Sequence, residues 1–553
     1  MSTKYIFVTG GVVSGLGKGV TAAVLGCLLK ARGITVRCQK FDPYINVDPA
    51  LMSPIQHGEI FITEDGAQTD LDIGHYERFT DVNLDQESDI TSGMIYRDVI
   101  DDERRGIYNG GTVQVVPHII NEIKEHIFNV SRRSDEPTDV VICEIGGTIG
   151  DMESNPYIEA IRQVGYQIGR ENCLIIHVTL LPYLKSSGEV KTKPTQHSVQ
   201  RLLSLGVQPD VLVCRTEVPL DQVTRKKIAL FCNVREDSVI ENMDVDTIYS
   251  LPLYFEKQGL ADCVCRQLGI AQFIDPNLQK WEKLLEKIKH IKGQVNVALV
   301  GKYNALQDAY YSVLEALKHA TIEKEVALKI TWVDSDQIEN KTEDELSEIF
   351  ADCDAILIPG GFGPRGMDGM ILAAGYARRH KLPFLGIGLG MQMAVCEIAR
   401  NVAGIKDAHS DESEKECSDI FYYAGLTSEQ AKNIKQVPFP EQPMRCGAYS
   451  MKIAEGSLLS EIYGVDEVKE RHHHRRELNP AYQVPLLQSG VVFSGTSPDG
   501  HIVEAIELRT EEHPFFVGML AHPEFKSRPI KPHPVFLSLI EQAMKFQRAN
   551  NIN

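Results

Sequence analysis

At 553 residues the chain is too long for one hydrophobic core, and roughly 100 to 200 residues per domain predicts two to four domains. A hydrophobic share of 43% is ordinary for a soluble protein, and a formal net charge of −19 argues against non-specific binding to nucleic acid or acidic lipid. Any phosphate-bearing ligand must therefore be held by local basic clusters, and small-molecule partners are expected.

The N-terminal MSTKYIFVTGG reads as a strand entering a glycine-rich turn, with no charged-then-apolar leader and no apolar run of about 20 residues. A cytoplasmic protein is expected. The 12 cysteines have no framework spacing, and Cys143, Cys173 and Cys214 sit in strand-like runs, so they read as reduced core residues. Buried-strand runs alternate with helical patterns: Tyr5–Val8, Val140–Cys143, Leu174–Val178 and Val211–Cys214, then Val295–Val300, Ala355–Ile358, Phe384–Ile387 and Phe516–Leu520. Such alternation predicts α/β architecture, with two doubly wound, mostly parallel sheets. Asp275–Gly293 reads as an amphipathic helix with Leu278, Trp281, Leu284, Leu285 and Ile288 on its apolar side, and it is the expected linker. The expected boundaries are residues 1–270, a linker at 271–294, and residues 295–553. The polar stretch Asp407–Asp419 reads as a surface loop.

After the first strand, Thr9 to Thr21 reads TGGVVSGLGKGVT and leads into a helix bearing Val24, Leu25 and Leu28 that stops at Gly33. Glycines let backbone N–H groups curl around an anion, the helix N-terminus adds partial positive charge, and Lys18 can reach β and γ phosphates. Five residues separate Gly11 from Gly17, and Gly19 stands where Ser or Thr usually follows the lysine. The hydroxyl normally offered to magnesium is then left to Ser14 or Thr21. Carboxylates aimed at such a loop are expected at strand ends. Glu144 closes Val140–Cys143 ahead of Gly-Gly-Thr-Ile-Gly-Asp151, and Asp70 and Asp72 could share one side of an extended segment. Each acid taken alone could equally be a solvated loop residue.

The runs SGLGKG, QKFDPYINVD, HGEIFITEDGAQTDLDIGHYERF, EIGGTIGDMES and EVKTKPTQHSV, in this order, resemble the amidoligase domain of the CTP synthase family. The resemblance implies that Ser14, Gly15, Leu16, Gly17, Lys18, Gly19 and Val20 cradle ATP, which Met243, Asp244 and Val245 also contact. It implies Asp72, at the ATP site, and Glu144 as ligands of Mg2+, and catalytic roles for Lys18 and Lys40. UTP, or CTP as feedback inhibitor, is implied at Ser14, Asp151, Met152, Glu153, Lys191, Thr192, Lys193, Pro194, Thr195, Gln196 and Lys227. The residue types agree, since in so acidic a chain two triphosphates need clustered lysines such as Lys18, Lys40, Lys191, Lys193 and Lys227. Also implied are GTP as allosteric activator, a homotetramer, and filaments in some members, with no nucleic acid or membrane partner.

Downstream, Ala355–Ile358 ends in Pro359 to Gly366 (PGGFGPRG), Pro383 to Gln392 (PFLGIGLGMQ) forms strand, sharp turn and helix, and Leu520 to Phe525 (LAHPEF) closes another strand. This set resembles a class I glutamine amidotransferase, in which a cysteine on the sharp turn is activated by a histidine that a glutamate orients. His522 and Glu524 match the base and its partner, and Gly361 and the Leu389 N–H match the oxyanion donors. Gly390, Met391, Gln392, Glu412 and Arg475 match glutamine contacts. The departure is Gly388, where the resemblance implies the nucleophilic cysteine. Cys396, two helical turns on, lies roughly 12 Å away and cannot replace it. Glutamine, or free ammonia, is thus an expected partner, with ammonia-dependent activity retained and glutamine hydrolysis lost. An assembly subunit responsive to nucleotides is the non-enzymatic alternative. Another amidoligase of the same plan, such as one that amidates corrinoid carboxylates, is disfavoured by the Lys191–Gln196 loop. His472, His473 and His474 point to alternating faces of a strand and are not expected to share one metal ion.

Overall fold

The computed structural model describes residues 2–132, 137–270, 275–413, 416–423 and 442–550. They divide into two compact units, Met1–Pro49 with Thr69–Leu285, and Ala50–Gln68 with Glu286–Asn553. Ala50–Gln68, expected with the first domain, is therefore grouped with the second. The expected linker helix is shorter, Gln279–Lys289, because Pro276 lacks an N–H and biases Asp275 away from helix. Trp281 is buried and stacks on Phe79 at 5.4 Å, which ties the first half of this helix to the first unit. Residues 271–274 lie outside the described residues.

The first unit is built on a seven-stranded sheet in the order Val239–Met243, Val211–Thr216, Cys173–Leu181, Lys4–Gly10, Val140–Ile145, Val36–Asp42, Asp89–Thr91. Every pairing is parallel. Both faces are covered, so the central strands are largely apolar, and Ile6, Phe7, Val8, Val140, Val141 and Ile142 are fully buried. The helix Lys18–Ala31 buries Val24, Leu25 and Leu28, each contributing about 1.5–3 kcal/mol. The chain reverses strand order about the first strand, which places a ligand crevice outside the strands' carboxyl ends.

The second unit holds a nine-stranded sheet in the order Ala327–Asp334, Gln294–Gly301, Ala355–Ile358, Phe384–Ile387, Phe516–Met519, Val503–Leu508, Val491–Thr496, Arg445–Ile453, Glu467–His474. The first five strands run parallel and the rest join antiparallel. The expected loop Asp407–Asp419 contains the strand Ala408–Ser410 and a buried His409, because Ala408–Ser410 pairs with Ser418–Tyr423. Of the 12 cysteines, ten are buried and Cys417 and Cys446 are half-buried. No helix among the described residues is long and apolar enough to cross a membrane.

Candidate active sites

The strand Lys4–Gly10 ends in a loop shaped by positive φ at Val12 (80°), Gly15 (74°) and Gly17 (84°). A β-branched residue held there stores about 1–3 kcal/mol of strain, which persists where a loop is fixed for a ligand. Gly17 N-caps the helix Lys18–Ala31, whose first N–H groups lie at the loop. Lys18 folds back across Gly10, where a Cβ would lie 2.6 Å from its Cδ, and its Nζ donates to Gly147 O at 2.8 Å. The missing hydroxyl after Lys18 has a steric reason. A Cβ on Gly19 would fall 2.4 Å from Asp72 Oδ1 and 3.2 Å from Glu144 Oε2, so carboxylates occupy that space. Thr21 Oγ1 is committed to Gly17 O at 2.8 Å, whereas Ser14 is exposed.

Asp70 and Asp72 do not share an extended segment. Asp70 caps the helix Leu71–Thr80 by accepting the Asp72 N–H at 2.9 Å, and Asp72 lies in its first turn. Lys40 Nζ is 2.7 Å from each carboxylate and 3.4 Å from Asp42. Its position is set by register, since Lys40 pairs with Glu144 on one side and Asp89 on the other. Tyr76 donates its hydroxyl to Glu144 Oε2. Burial, then the Asp72 charge, pushes the Glu144 carboxyl up to about 7. Burial likewise raises Asp42 to about 6 and Asp89 well above the carboxylate range. At Asp72 burial acts upward, but Lys40, His75 and Lys18 outweigh it and the net shift is downward. One buried ammonium among so many carboxylates leaves unbalanced negative charge, and the Asp72–Glu144 pair fits a divalent cation.

The expected pyrimidine contacts divide by exposure. Asp151, Met152 and Glu153 are exposed, Asp151 accepting the Thr148 N–H at 2.8 Å. Thr192 precedes the helix Lys193–Ser204, with Pro194 in its first turn. Thr195 and Gln196 are buried, their side chains bonded to Leu180 O and Thr192 Oγ1, both at 3.0 Å. Lys193 Nζ lies 6.0 Å from the Phe231 ring. Lys191 sits 2.5 Å from Glu189 and, ahead of Lys227, holds that carboxyl below its ordinary value, so both lysines act on one spot. Met243 ends its strand, and Asp244 pairs with Arg215 at 2.9 Å. Arg215 Nη1 comes within 3.7 Å of where a Gly17 Cβ would be. Sequence reasoning missed Arg215, because a lone arginine at a strand end carries no motif.

In the second unit the strand Phe384–Ile387 turns at Gly388 (φ 54°, ψ −110°) into the helix Leu389–Asn401. Leu389 opens that helix, so its N–H has no intrahelical acceptor. The turn is tight, since a Cβ on Gly390 would fall 2.1 Å from Ile358 O. His522 is held by Glu524, Nδ1 to Oε1 2.7 Å, and its Nε2 faces position 388, where a Cβ would lie 3.0 Å away. A Cβ on Gly360 would strike His522 Cε1 at 2.5 Å, so PGG passes directly beneath the ring. Cys396 is fully buried and burial pushes its thiol up, away from thiolate character.

A cavity of about 100 Å³ opens here, lined by Gly361, Leu389, Gln392, Glu412, Arg475 and His522 among others. Met391, expected as a glutamine contact, is fully buried in the hydrophobic core and does not line this cavity. Glu412 Oε1 accepts the Gly363 N–H at 2.6 Å, and Arg475 lies 5.4 Å over the Phe362 ring. Three further lining residues, Pro54, Glu59 and Ile60, come from Ala50–Gln68. Glu59 accepts the Ser312 N–H at 2.7 Å at the start of the helix Tyr311–Glu323. Lys302, also missed, donates to Gly363 O at 2.7 Å and Phe362 O at 3.2 Å, and burial lowers it to about 8. Only its fold position reveals it. His472 and His474 share a face, Nδ1 to Nε2 3.0 Å, while His473 reaches Gln68 at 2.9 Å on the other.

A phosphate-loop unit with converging carboxylates, carried on one chain with a unit bearing a His–Glu pair at a sharp turn, defines a ligase of the glutamine amidotransferase type. The family described as CTP synthase N-terminus matches residues 4–270, and that described as glutamine amidotransferase class-I matches residues 305–542. The chain is 54% identical to the CTP synthase of Ruminiclostridium cellulolyticum over 99% of this chain and 100% of that one. It is 50% identical to the CTP synthase of Staphylococcus aureus over 99% of each. A solved glutaminase domain of Trypanosoma brucei CTPS with bound acivicin aligns at TM-score 0.41 and 38% identity, over 45% of this chain and 94% of that chain. The chain belongs to the CTP synthase family.

Proposed function

We propose that the chain aminates UTP to CTP at the expense of ATP, drawing on free ammonia, and that it binds glutamine without hydrolysing it. The first unit supplies the ligase site. The phosphate loop and Lys18 bind the ATP phosphates, and Lys191, Lys193 and Lys227 bind the pyrimidine triphosphate. Asp72 and Glu144 would hold Mg2+, which neutralises charge on the transferring phosphoryl group when bound. The γ-phosphoryl of ATP passes to the 4-oxygen of UTP, leaving ADP. Ammonia adds at carbon 4, the bond to the phosphorylated oxygen breaks, phosphate departs, and a proton is lost to give CTP. Lys18 and Lys40 set the charge around this transfer, so positioning and electrostatics supply most of the acceleration.

The glutaminase half rests on one observation: His522 Nε2 faces position 388 with Glu524 behind it, and position 388 carries hydrogen. In the family reading a cysteine thiolate there forms a glutamyl thioester and releases ammonia. Glycine supplies no thiolate, while Gly361, the Leu389 N–H, Gln392, Glu412 and Arg475 remain for binding glutamine. The test is CTP formation with ammonium and with glutamine as separate nitrogen sources. Turnover with ammonium alone supports the proposal; turnover with glutamine, or with neither, removes it.

A further inference from the structure

Away from both sites, two neighbouring helices of the first unit bring three ligand-type side chains together. Asp98 lies on the helix Ser92–Arg104, and Glu122 and His126 lie one turn apart on the helix Ile120–Arg132. One ligand atom from each lies within 4.8 Å of the others. The histidine is oriented from behind, its Nδ1 standing 3.0 Å from Glu87 Oε2. A carboxylate at Nδ1 orients the ring so that Nε2 points toward Glu122. That Nε2 is buried, makes no hydrogen bond, and stands 3.6 Å from Glu122 Oε1. That separation is too long for a good hydrogen bond. It is close to the roughly 3.3 Å between ligand atoms on a tetrahedral ion with bonds of about 2.0–2.1 Å. Asp98, whose ion pair with Arg97 is exposed at 3.2 Å, closes the third side.

We propose that Asp98, Glu122 and His126 form a binding site for a divalent transition metal of the zinc class, separate from the Asp72–Glu144 pair. Two carboxylates and a neutral imidazole balance the charge of a dication, and water completes the shell. An imidazole held by a carboxylate is the arrangement that favours such ions over Mg2+, which prefers oxygen ligands and retained water. A bound ion would pin the two helices across the intervening residues 105–119.

The test uses the full chain in excess Mg2+ with Co2+ as probe, followed by visible absorption and equilibrium dialysis. One Co2+ per chain is expected, without a thiolate charge-transfer band and displaced by Zn2+. Asp98→Asn and Glu122→Gln, both at partly exposed positions, should each weaken binding by about tenfold or more, and Glu87→Gln by about 10–100-fold. Ammonia-dependent CTP formation should be unchanged in Asp98→Asn. The proposal is overturned if the parent chain binds no Co2+, if both ligand variants bind it as tightly as the parent, or if Mg2+ competes equally.

Discussion

His522 Nε2 and the position a Gly388 Cβ would occupy are 3.0 Å apart, and Glu524 holds the far side of the same imidazole at 2.7 Å. The imidazole and its carboxylate partner are assembled around a position with no side chain. Gly388→Cys should therefore restore glutamine-dependent CTP formation and leave the ammonia-dependent rate nearly unchanged. Because φ there is positive and the imidazole must give by a few tenths of an ångström, the variant should be about 1–3 kcal/mol less stable. Gly388→Ala should carry the same stability loss with no gain of activity. Thermal unfolding and a coupled CTP assay check both, and an inert but folded Gly388→Cys would refute the account.

Lys18→Ala should lower ammonia-dependent CTP formation by at least about 10²-fold, the size of a single well-placed electrostatic contribution. Steady-state rates at saturating ammonium measure this directly. Near-normal turnover would detach Lys18 from phosphoryl transfer.

Gly19→Ser would install the hydroxyl that phosphate loops usually carry, yet it should damage the ligase. Its Cβ would fall 2.4 Å from Asp72 Oδ1, displacing that carboxylate from Glu144. A loss of about 10²-fold in ammonia-dependent rate, with a raised Mg2+ requirement, is expected. Equal or better activity would mean that Asp72 does not belong to the metal pair.

Lys193→Ala should raise the KM for UTP and the inhibition constant for CTP together, by about tenfold or more, since both nucleotides carry the same triphosphate. Initial-rate kinetics with CTP as inhibitor separates the cases. A change in one constant alone would place the two triphosphates in different loops.

His513 uses both ring nitrogens as a neutral imidazole, Nε2 donating to Ala377 O at 3.1 Å and Nδ1 accepting the Phe515 N–H at 3.2 Å. Burial lowers it to about 4. The folded state thus resists a proton that the unfolded chain accepts near pH 6.5, and stability falls as pH drops between these values. The stability advantage of the parent over His513→Gln should shrink by about 1.4 kcal/mol per pH unit from 6.5 toward 4. A difference independent of pH would mean that His513 takes up a proton as readily in the fold as in the unfolded chain.

Strands announced themselves because burial on both faces demands continuous apolar runs, as in Val140–Ile145 and Phe384–Ile387. The phosphate loop, Glu144 and the His522–Glu524 pair were legible because their spacing is local. Asp70 and Asp72 were placed correctly in sequence but in the wrong conformation, since capping converts the second into a first-turn residue. Lys302, Arg215 and Glu59 were invisible, because each acquires its neighbours only through sheet order or through residues far along the chain. The grouping of Ala50–Gln68 with the second unit was invisible for the same reason, because the composition of that stretch does not reveal where it packs.

That excursion has a practical consequence for anyone dissecting the enzyme. Beyond supplying Pro54, Glu59 and Ile60 to the cavity beside Gly388, Ala50–Gln68 gives Arg471 acceptors at Ile62 O and Glu64. Arg471 is fully buried, and taking acceptors away from a buried guanidinium is costly. A gene fragment that begins at residue 286 would encode the amidotransferase unit with part of its cavity wall missing and Arg471 deprived of its contacts to Ile62 O and Glu64. A stand-alone version would need the early segment grafted on through a new linker, or coexpressed as a separate peptide.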